Sequence, residues 1–284
     1  MLNTESKKDT FFLSSSYDSM FIPKRFADEI IVHVVSNYLE NNYFFKPPLY
    51  LVIEGDPGEG KTIQSIAVCN QKRIAVQYIS ASQLSGKNES ESKQILEDTF
   101  NESLQLIKSG IYIAIVIDDF HLGNANYDSN IKRTVNSDIL ISYMMNLAES
   151  CIDNRIPIIL TGNNFKKVYP PLIRDGRANI FKWEPTYEEK EAVIKSIYGP
   201  YMEKNDCNKL KLLINRYKDQ NIAFFSQLLN DYRSYLLKKE IEGIKELSPS
   251  VLKNLSEITR KNFLEISYDK LKELAQIREK NRRL

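Results

Sequence analysis

The chain has 284 residues, 42% hydrophobic and 27% charged, and 39 basic against 37 acidic side chains leave a formal net charge of only +2. That is the composition of a globular protein with one large or two smaller domains, and it lacks the basic excess of a dedicated nucleic-acid binder. Cys69, Cys151 and Cys207 are far apart, as are His33 and His121, so neither a zinc site nor a disulfide framework is indicated and the thiols read as reduced and buried.

Residues 1–20 are rich in Ser, Thr, Asp and Lys and read as a flexible leader. The apolar run Phe11 to Leu13 is too short for a signal-peptide core, and no stretch approaches the roughly 20 apolar residues of a membrane span. A cytoplasmic protein with no membrane partner is the expectation. Apolar residues at helical spacing from Phe26 to Leu39 predict a helix, stopped by Asn41-Asn42 and Pro47-Pro48. Leu49 to Ile53 predicts a strand buried on both faces, and Ile63 to Asn70 a helix. Further along come a strand over Arg73 to Ser80, a helix over Glu91 to Lys108, and a charge-free strand over Ile111 to Ile117. A helix over Asp138 to Glu149 and a strand over Ile156 to Leu160 complete the series. Strands alternating with helices predict an α/β fold with a parallel sheet covered on both sides. After Trp183 the pattern changes. Thr186 and Glu189 form a capping box, and the rest reads as helix. The predicted domains are therefore 21–184, α/β, and 185–284, all-helical.

Gly55-Asp56-Pro57-Gly58-Glu59-Gly60-Lys61-Thr62 fits G-x-x-x-x-G-K-[ST] and lies between a predicted strand and a predicted helix. The glycines let several backbone N–H groups converge on one phosphate, and the helix adds its positive end. Asp56, Pro57, Gly58, Glu59, Gly60, Lys61, Thr62 and Ile63 are the expected nucleotide contacts. Lys61 would reach the β/γ-phosphates of ATP, and the Thr62 hydroxyl would ligate Mg²⁺. The strand Ile113 to Ile117 ends in Asp118 and Asp119. Asp118 would hold the magnesium shell, and Asp119 would orient or deprotonate the attacking water. Glu is the usual second acid in such ATPases, and Asp119 is one methylene shorter.

Two further groups stay open on the residues alone. Asn163, after the strand ending Thr161-Gly162, suits either a turn or a reach to the γ-phosphate. Arg174 and Arg177, three apart, suit either a structural pairing with Asp175 or another acid, or a pair of fingers for a neighbouring subunit's phosphates.

Taken together, these elements resemble an AAA+ ATPase: a P-loop NTPase core with a small helical lid domain. More narrowly they resemble Rubisco activase of the green-plant and cyanobacterial type. The most specific stretch runs from Arg155 through Ile158-Ile159-Leu160-Thr161-Gly162-Asn163 and Leu172-Ile173-Arg174-Asp175-Gly176-Arg177 to Phe181-Lys182-Trp183-Glu184-Pro185-Thr186. The resemblance implies a hexameric ring with ATP between subunits, Asn163 as a sensor, and Arg174 and Arg177 as trans-acting fingers. It also implies remodelling of a client protein by pore loops, placed by position at Gln83 to Glu91 and Gly123 to Lys132. Departures point to a client other than Rubisco. Leu229 and Asp231 stand where the family has a sensor arginine, with Arg233 one turn on as the nearest substitute. The N-terminus is short without a tryptophan, and the composition is rich in Lys, Asn and Ile. Two other readings stand beside this one. The basic end from Arg278 to Arg283 suits a nucleic-acid-associated ATPase, and Asp119 with the absent sensor suits an ATP-gated scaffold with slow hydrolysis.

Overall fold

The computed structural model describes residues 10–11, 17–39, 46–85, 91–120, 135–150, 155–165, 170–202, 204–242, 244, 246–263 and 266–282. Two compact units divide the chain, Met1–Glu184 and Pro185–Leu284.

The first unit is a sheet between helices. Its strands are β1 (Thr10–Phe11), β2 (Tyr50–Glu54), β3 (Ala75–Ser80), β4 (Ile113–Asp118), β5 (Ile158–Gly162) and β6 (Ala178–Lys182), in the order β1-β3-β4-β5-β2-β6. The last five are parallel, as the alternation of elements implies, and β1 alone runs antiparallel, on β3. The helices are α1 (Lys24–Tyr38), α2 (Lys61–Gln71), α3 (Glu91–Lys108) and α4 (Val135–Ser150).

Period-two alternation divides the sheet's side chains between two cores. Tyr50, Val52, Ile113, Ile115, Ile117, Ile158 and Leu160 pack with Leu96 and Phe100 of α3 and with Leu140 and Met144 of α4. Leu51, Ile53, Ala114, Val116 and Ile159 pack on the other face with Phe26, Ile30 and Val34 of α1 and with Ile66, Val68 and Cys69 of α2. Burial of both faces is why these strands are almost purely apolar. Cys69 is the buried thiol expected, its pKa pushed up to about 12 by burial.

Two strands depart from the sequence reading. β6 was not anticipated: it is the sheet edge, its burial is low at Asn179 and Ile180, and its polar residues mask the strand pattern. Within the segment read as a leader, Thr10–Phe11 pairs with Val76 and Gln77, and Gln71 Nε2 donates to the Tyr17 and Met20 carbonyls at 2.9 and 2.8 Å. A backbone edge on β3 offers that segment a ladder whatever its composition. Arg73, included in the predicted strand, has φ 59° and belongs to the turn before it.

The second unit holds α5 (Tyr187–Tyr198), α6 (Lys204–Arg216), α7 (Ile222–Ile241), α8 (Pro249–Asn262) and α9 (Tyr268–Arg282). The Thr186–Glu189 capping box forms with both reciprocal hydrogen bonds, and Asn221 caps α7 through Phe224 N–H at 2.9 Å. Ile194, Tyr198, Leu210, Leu213, Phe224, Phe225, Leu228 and Leu271 form its core. Among the described residues, no helix is long and apolar enough to cross a membrane.

His33, on α1, makes the fold sensitive to acid. Burial lowers its pKa from 6.5 to about 4, opposed by a hydrogen bond to the Ile158 backbone and reinforced by the charge of Arg155. Between those pH values the unfolded chain binds a proton that the folded chain does not, so stability falls as pH falls. The loss by pH 4 is about 3 kcal/mol. Urea unfolding at pH 7 and pH 4 is expected to show a drop larger by that amount in the wild type than in His33→Leu.

Candidate functional site

The segment between β2 and α2 is shaped by its glycines. Gly55 N–H donates to the Gly162 carbonyl at 3.2 Å, and a Cβ at Gly55 would lie 2.2 Å from the Trp183 carbonyl oxygen. Gly58 and Gly60 have φ of 78° and 77°, the left-handed region that side chains disfavour. These turns bring the chain into α2 at Lys61. The first-turn N–H groups of a helix have no acceptor within it, and with the positive dipole end they favour an anion.

Lys61 is buried, and its Nζ donates to the Gly55 and Asp56 carbonyls, both at 2.8 Å, and to Asn163 Oδ1 at 2.9 Å. Burial lowers its pKa from the ordinary lysine value, while Asp119, Asp118, Asp56 and Glu59 act in the opposite sense. Asn163 thus meets the loop lysine from the end of the neighbouring strand.

Asp118 is the hub of the site. Its Oδ1 accepts from Thr62 Oγ1 at 2.5 Å, from Thr161 Oγ1 at 2.6 Å and from the Asp119 N–H at 2.9 Å. Its Oδ2 accepts from the Tyr78 hydroxyl at 3.0 Å. Strand parity explains the convergence. Tyr78, Asp118 and Thr161 share the parity of Val76, Val116 and Ile159, which face α2, so all three side chains emerge on the side where Thr62 begins that helix. Asp119, with φ 50°, turns out of the strand and is exposed. Ile63 is 42% exposed on the first turn of α2.

The donor set fits a magnesium–phosphate group. Thr62 and Asp118 offer hard oxygen atoms side by side, and Mg²⁺ takes one or two carboxylates together with substrate phosphates rather than an all-protein cage. Among the described residues, no group of three or more His, Cys, Asp or Glu is placed to hold a metal ion.

Residues 51–185 match the family model described as ATPase family associated with various cellular activities (AAA). The ribulose bisphosphate carboxylase/oxygenase activase of Anabaena sp. is 33% identical over 224 residues, covering 74% of this chain and 53% of that protein. The chloroplastic activase of Arabidopsis thaliana is 29% identical over 275 residues, covering 92% and 57%. Residues 51–185 are thus an AAA domain, in a chain similar to the Rubisco activases. The chain spans about half the length of the curated relatives it matches.

The AAA domain treats Arg174 and Arg177 differently. Arg177 is 8% exposed and donates to the Pro171 carbonyl and to Glu149 Oε1 on α4. Its Nε has no hydrogen-bond partner among the described residues. The Arg174 guanidinium lies 3.5 Å from the same Glu149 oxygen, with 60% of its side chain exposed. Hydrogen bonding and charge from Arg177, with a smaller contribution from Arg174, hold the Glu149 carboxyl below the usual carboxylate range. The acid is Glu149 rather than Asp175, and sequence distance hid it.

Other residues singled out in the sequence fall as follows. Leu84, in the first proposed pore loop, is buried, and its carbonyl accepts from Ser92 Oγ at 2.6 Å, so it belongs to the core. The loop Gly123 to Lys132 lies outside the described residues. Leu229 is buried and Arg233 is exposed; Asp231 accepts from Arg278 Nε and a terminal nitrogen at 2.5 and 2.7 Å. Sequence reasoning missed Tyr78, Glu149 and a third residue, Trp183, whose indole donates to the Glu59 carbonyl. A tyrosine two residues before a strand end, beside the two-acid strand, was the only local signal for the first.

Proposed function

We propose that the chain binds ATP with Mg²⁺ at the β2–α2 loop and hydrolyses it between subunits of a homo-oligomeric ring, a hexamer, using the cycle to remodel a partner protein. The observation that carries this is the meeting of Thr62, Thr161 and Asp118 beside Lys61, with Asn163 on the lysine. Asp56 to Ile63 would wrap the phosphates, and Lys61 would place its charge on the β/γ pair. Thr62 and Asp118 would hold Mg²⁺, which when bound neutralises phosphate charge. Asp119 would orient or deprotonate the attacking water, and Asn163 would exchange Lys61 for the γ-phosphate or that water. Arg174, solvent-facing, would serve the neighbour's nucleotide, with Arg177 anchoring the turn that presents it.

Complementation tests both the chemistry and the ring. Lys61→Ala and Arg174→Ala chains are each expected to hydrolyse ATP at least about 10²-fold more slowly than wild type. An equimolar mixture is expected to recover about a quarter of the wild-type rate, the share of random interfaces pairing an intact loop with an intact arginine. No recovery removes the trans role of Arg174. Absence of hydrolysis in the wild type removes the ATPase reading.

The client is read as a protein other than Rubisco, supported by the sensor position, where Asp231 is tied to Arg278. Activation of Rubisco by this chain would overturn that. The same pairing weakens the nucleic-acid reading, because one of the basic residues that motivated it is engaged within its own unit.

A further inference from the structure

Trp183 is the chain's single tryptophan, fully buried, and it touches the phosphate loop at several points. Its main-chain N–H donates to the Glu54 carbonyl at 2.6 Å, and its own carbonyl occupies the space that a Gly55 side chain would need. Its indole Nε1–H donates to the Glu59 carbonyl at 2.9 Å. The indole is held in turn. Phe26 meets it edge-on at 4.8 Å, and the Arg25 guanidinium lies 4.8 Å from its centroid and donates to the Glu184 carbonyl at 3.0 Å.

The geometric consequence falls on Gly60. The Glu59–Gly60 peptide is trans, so its C=O and N–H point in opposite directions. A buried indole that draws the carbonyl toward the core aims the Gly60 N–H away from it. Gln64 Nε2 supports the same orientation, reaching the Glu59 oxygen at 3.2 Å. Released from these donors, the peptide can rotate and offer a phosphate its partially negative oxygen in place of a donor.

We propose that Trp183 is a positioning residue of the phosphate loop: its indole N–H orients the Glu59–Gly60 peptide for binding the phosphates of an adenine nucleotide. The proposal rests on the nucleotide reading above. Trp183→Phe removes the N–H while keeping an aromatic ring. Phe26→Leu loosens the packing of the indole while leaving its N–H in place.

Calorimetric titration of the full chain with ADP and with ATP separates the possibilities. Trp183→Phe is expected to weaken both nucleotides by a similar factor, about five- to tenfold, the scale of one hydrogen bond. Phe26→Leu is expected to lower the melting temperature and leave both affinities within about twofold of wild type, since it removes packing rather than a hydrogen bond. Unchanged affinity in Trp183→Phe overturns the proposal. Equal loss in Phe26→Leu also overturns it, because packing alone then accounts for the effect. Wild type that binds neither nucleotide overturns the nucleotide reading itself. Should Trp183→Phe fail to fold, the wild-type emission decides. ADP is expected to shift tryptophan fluorescence with the calorimetric midpoint, and an unmoved spectrum at saturation overturns the assignment.

Discussion

Lys61→Ala is expected to lower ATP hydrolysis about 10²- to 10³-fold and to abolish measurable nucleotide binding at micromolar concentrations. The effect follows from where the charge is held. The ammonium is buried, and its three acceptors are two loop carbonyls and the Asn163 amide oxygen, none of them a carboxylate. A phosphate arriving beside it would meet a cation that burial has already stripped of much of its hydration, with full charges nearby rather than in contact. An alanine leaves those carbonyls facing the phosphates, so attraction gives way to repulsion. Arginine is a poor replacement, because a planar fork needs a different arrangement of acceptors from a compact point charge. Calorimetry and phosphate release measure the two effects separately. Hydrolysis retained in Lys61→Ala would place the active loop elsewhere.

Asp119→Asn is expected to keep ATP affinity within about threefold and to slow hydrolysis about 10²-fold, the scale of a lost general base. The backbone makes this substitution clean. Asp119 has φ 50°, and its N–H donates back to Asp118 Oδ1 at 2.9 Å. Asn tolerates the left-handed region at least as well as Asp, so the turn and that hydrogen bond survive while the carboxylate is lost. Asp119→Glu, although it restores the commoner acid of such ATPases, puts a longer side chain on a left-handed backbone. The strand end therefore offers a physical reason for a short acid here. Single-turnover hydrolysis of bound ATP reads the step directly. An unchanged rate would shift water activation to another residue.

The parts of the fold that were legible share one property: their physics is local. β4 reads as a strand because both faces are buried, which forces Ile113 to Ile117 to be apolar throughout. The loop Gly55 to Gly60 reads as a tight turn into a helix because its left-handed positions, Gly58 and Gly60, require glycine at fixed spacing. The α5 start reads from Thr186 and Glu189 because a capping box closes within one turn. β6 was illegible because an edge strand need not be apolar, and β1 because two residues paired through their backbones carry no pattern.

In the site the same division holds. Lys61, Thr62, Asp118 and Asp119 were assigned from adjacent positions in two motifs, and their chemistry follows from charge and spacing along the chain. Tyr78 and Thr161 came to Asp118 only through strand order and register, which place three strand ends on the α2 face. Arg174 and Arg177 are alike in sequence, and only Glu149, arriving on α4, distinguishes them: Arg177 is buried against it, while Arg174 lies 3.5 Å from the same carboxylate and stays mostly exposed. Sequence by itself determined the elements other than β1 and β6, the AAA-type motifs and the charges that a nucleotide would meet. Tertiary structure decided which side chains orient those charges, because hydrogen-bond partners such as Trp183 and Glu59, 124 residues apart, are chosen by packing rather than by proximity along the chain.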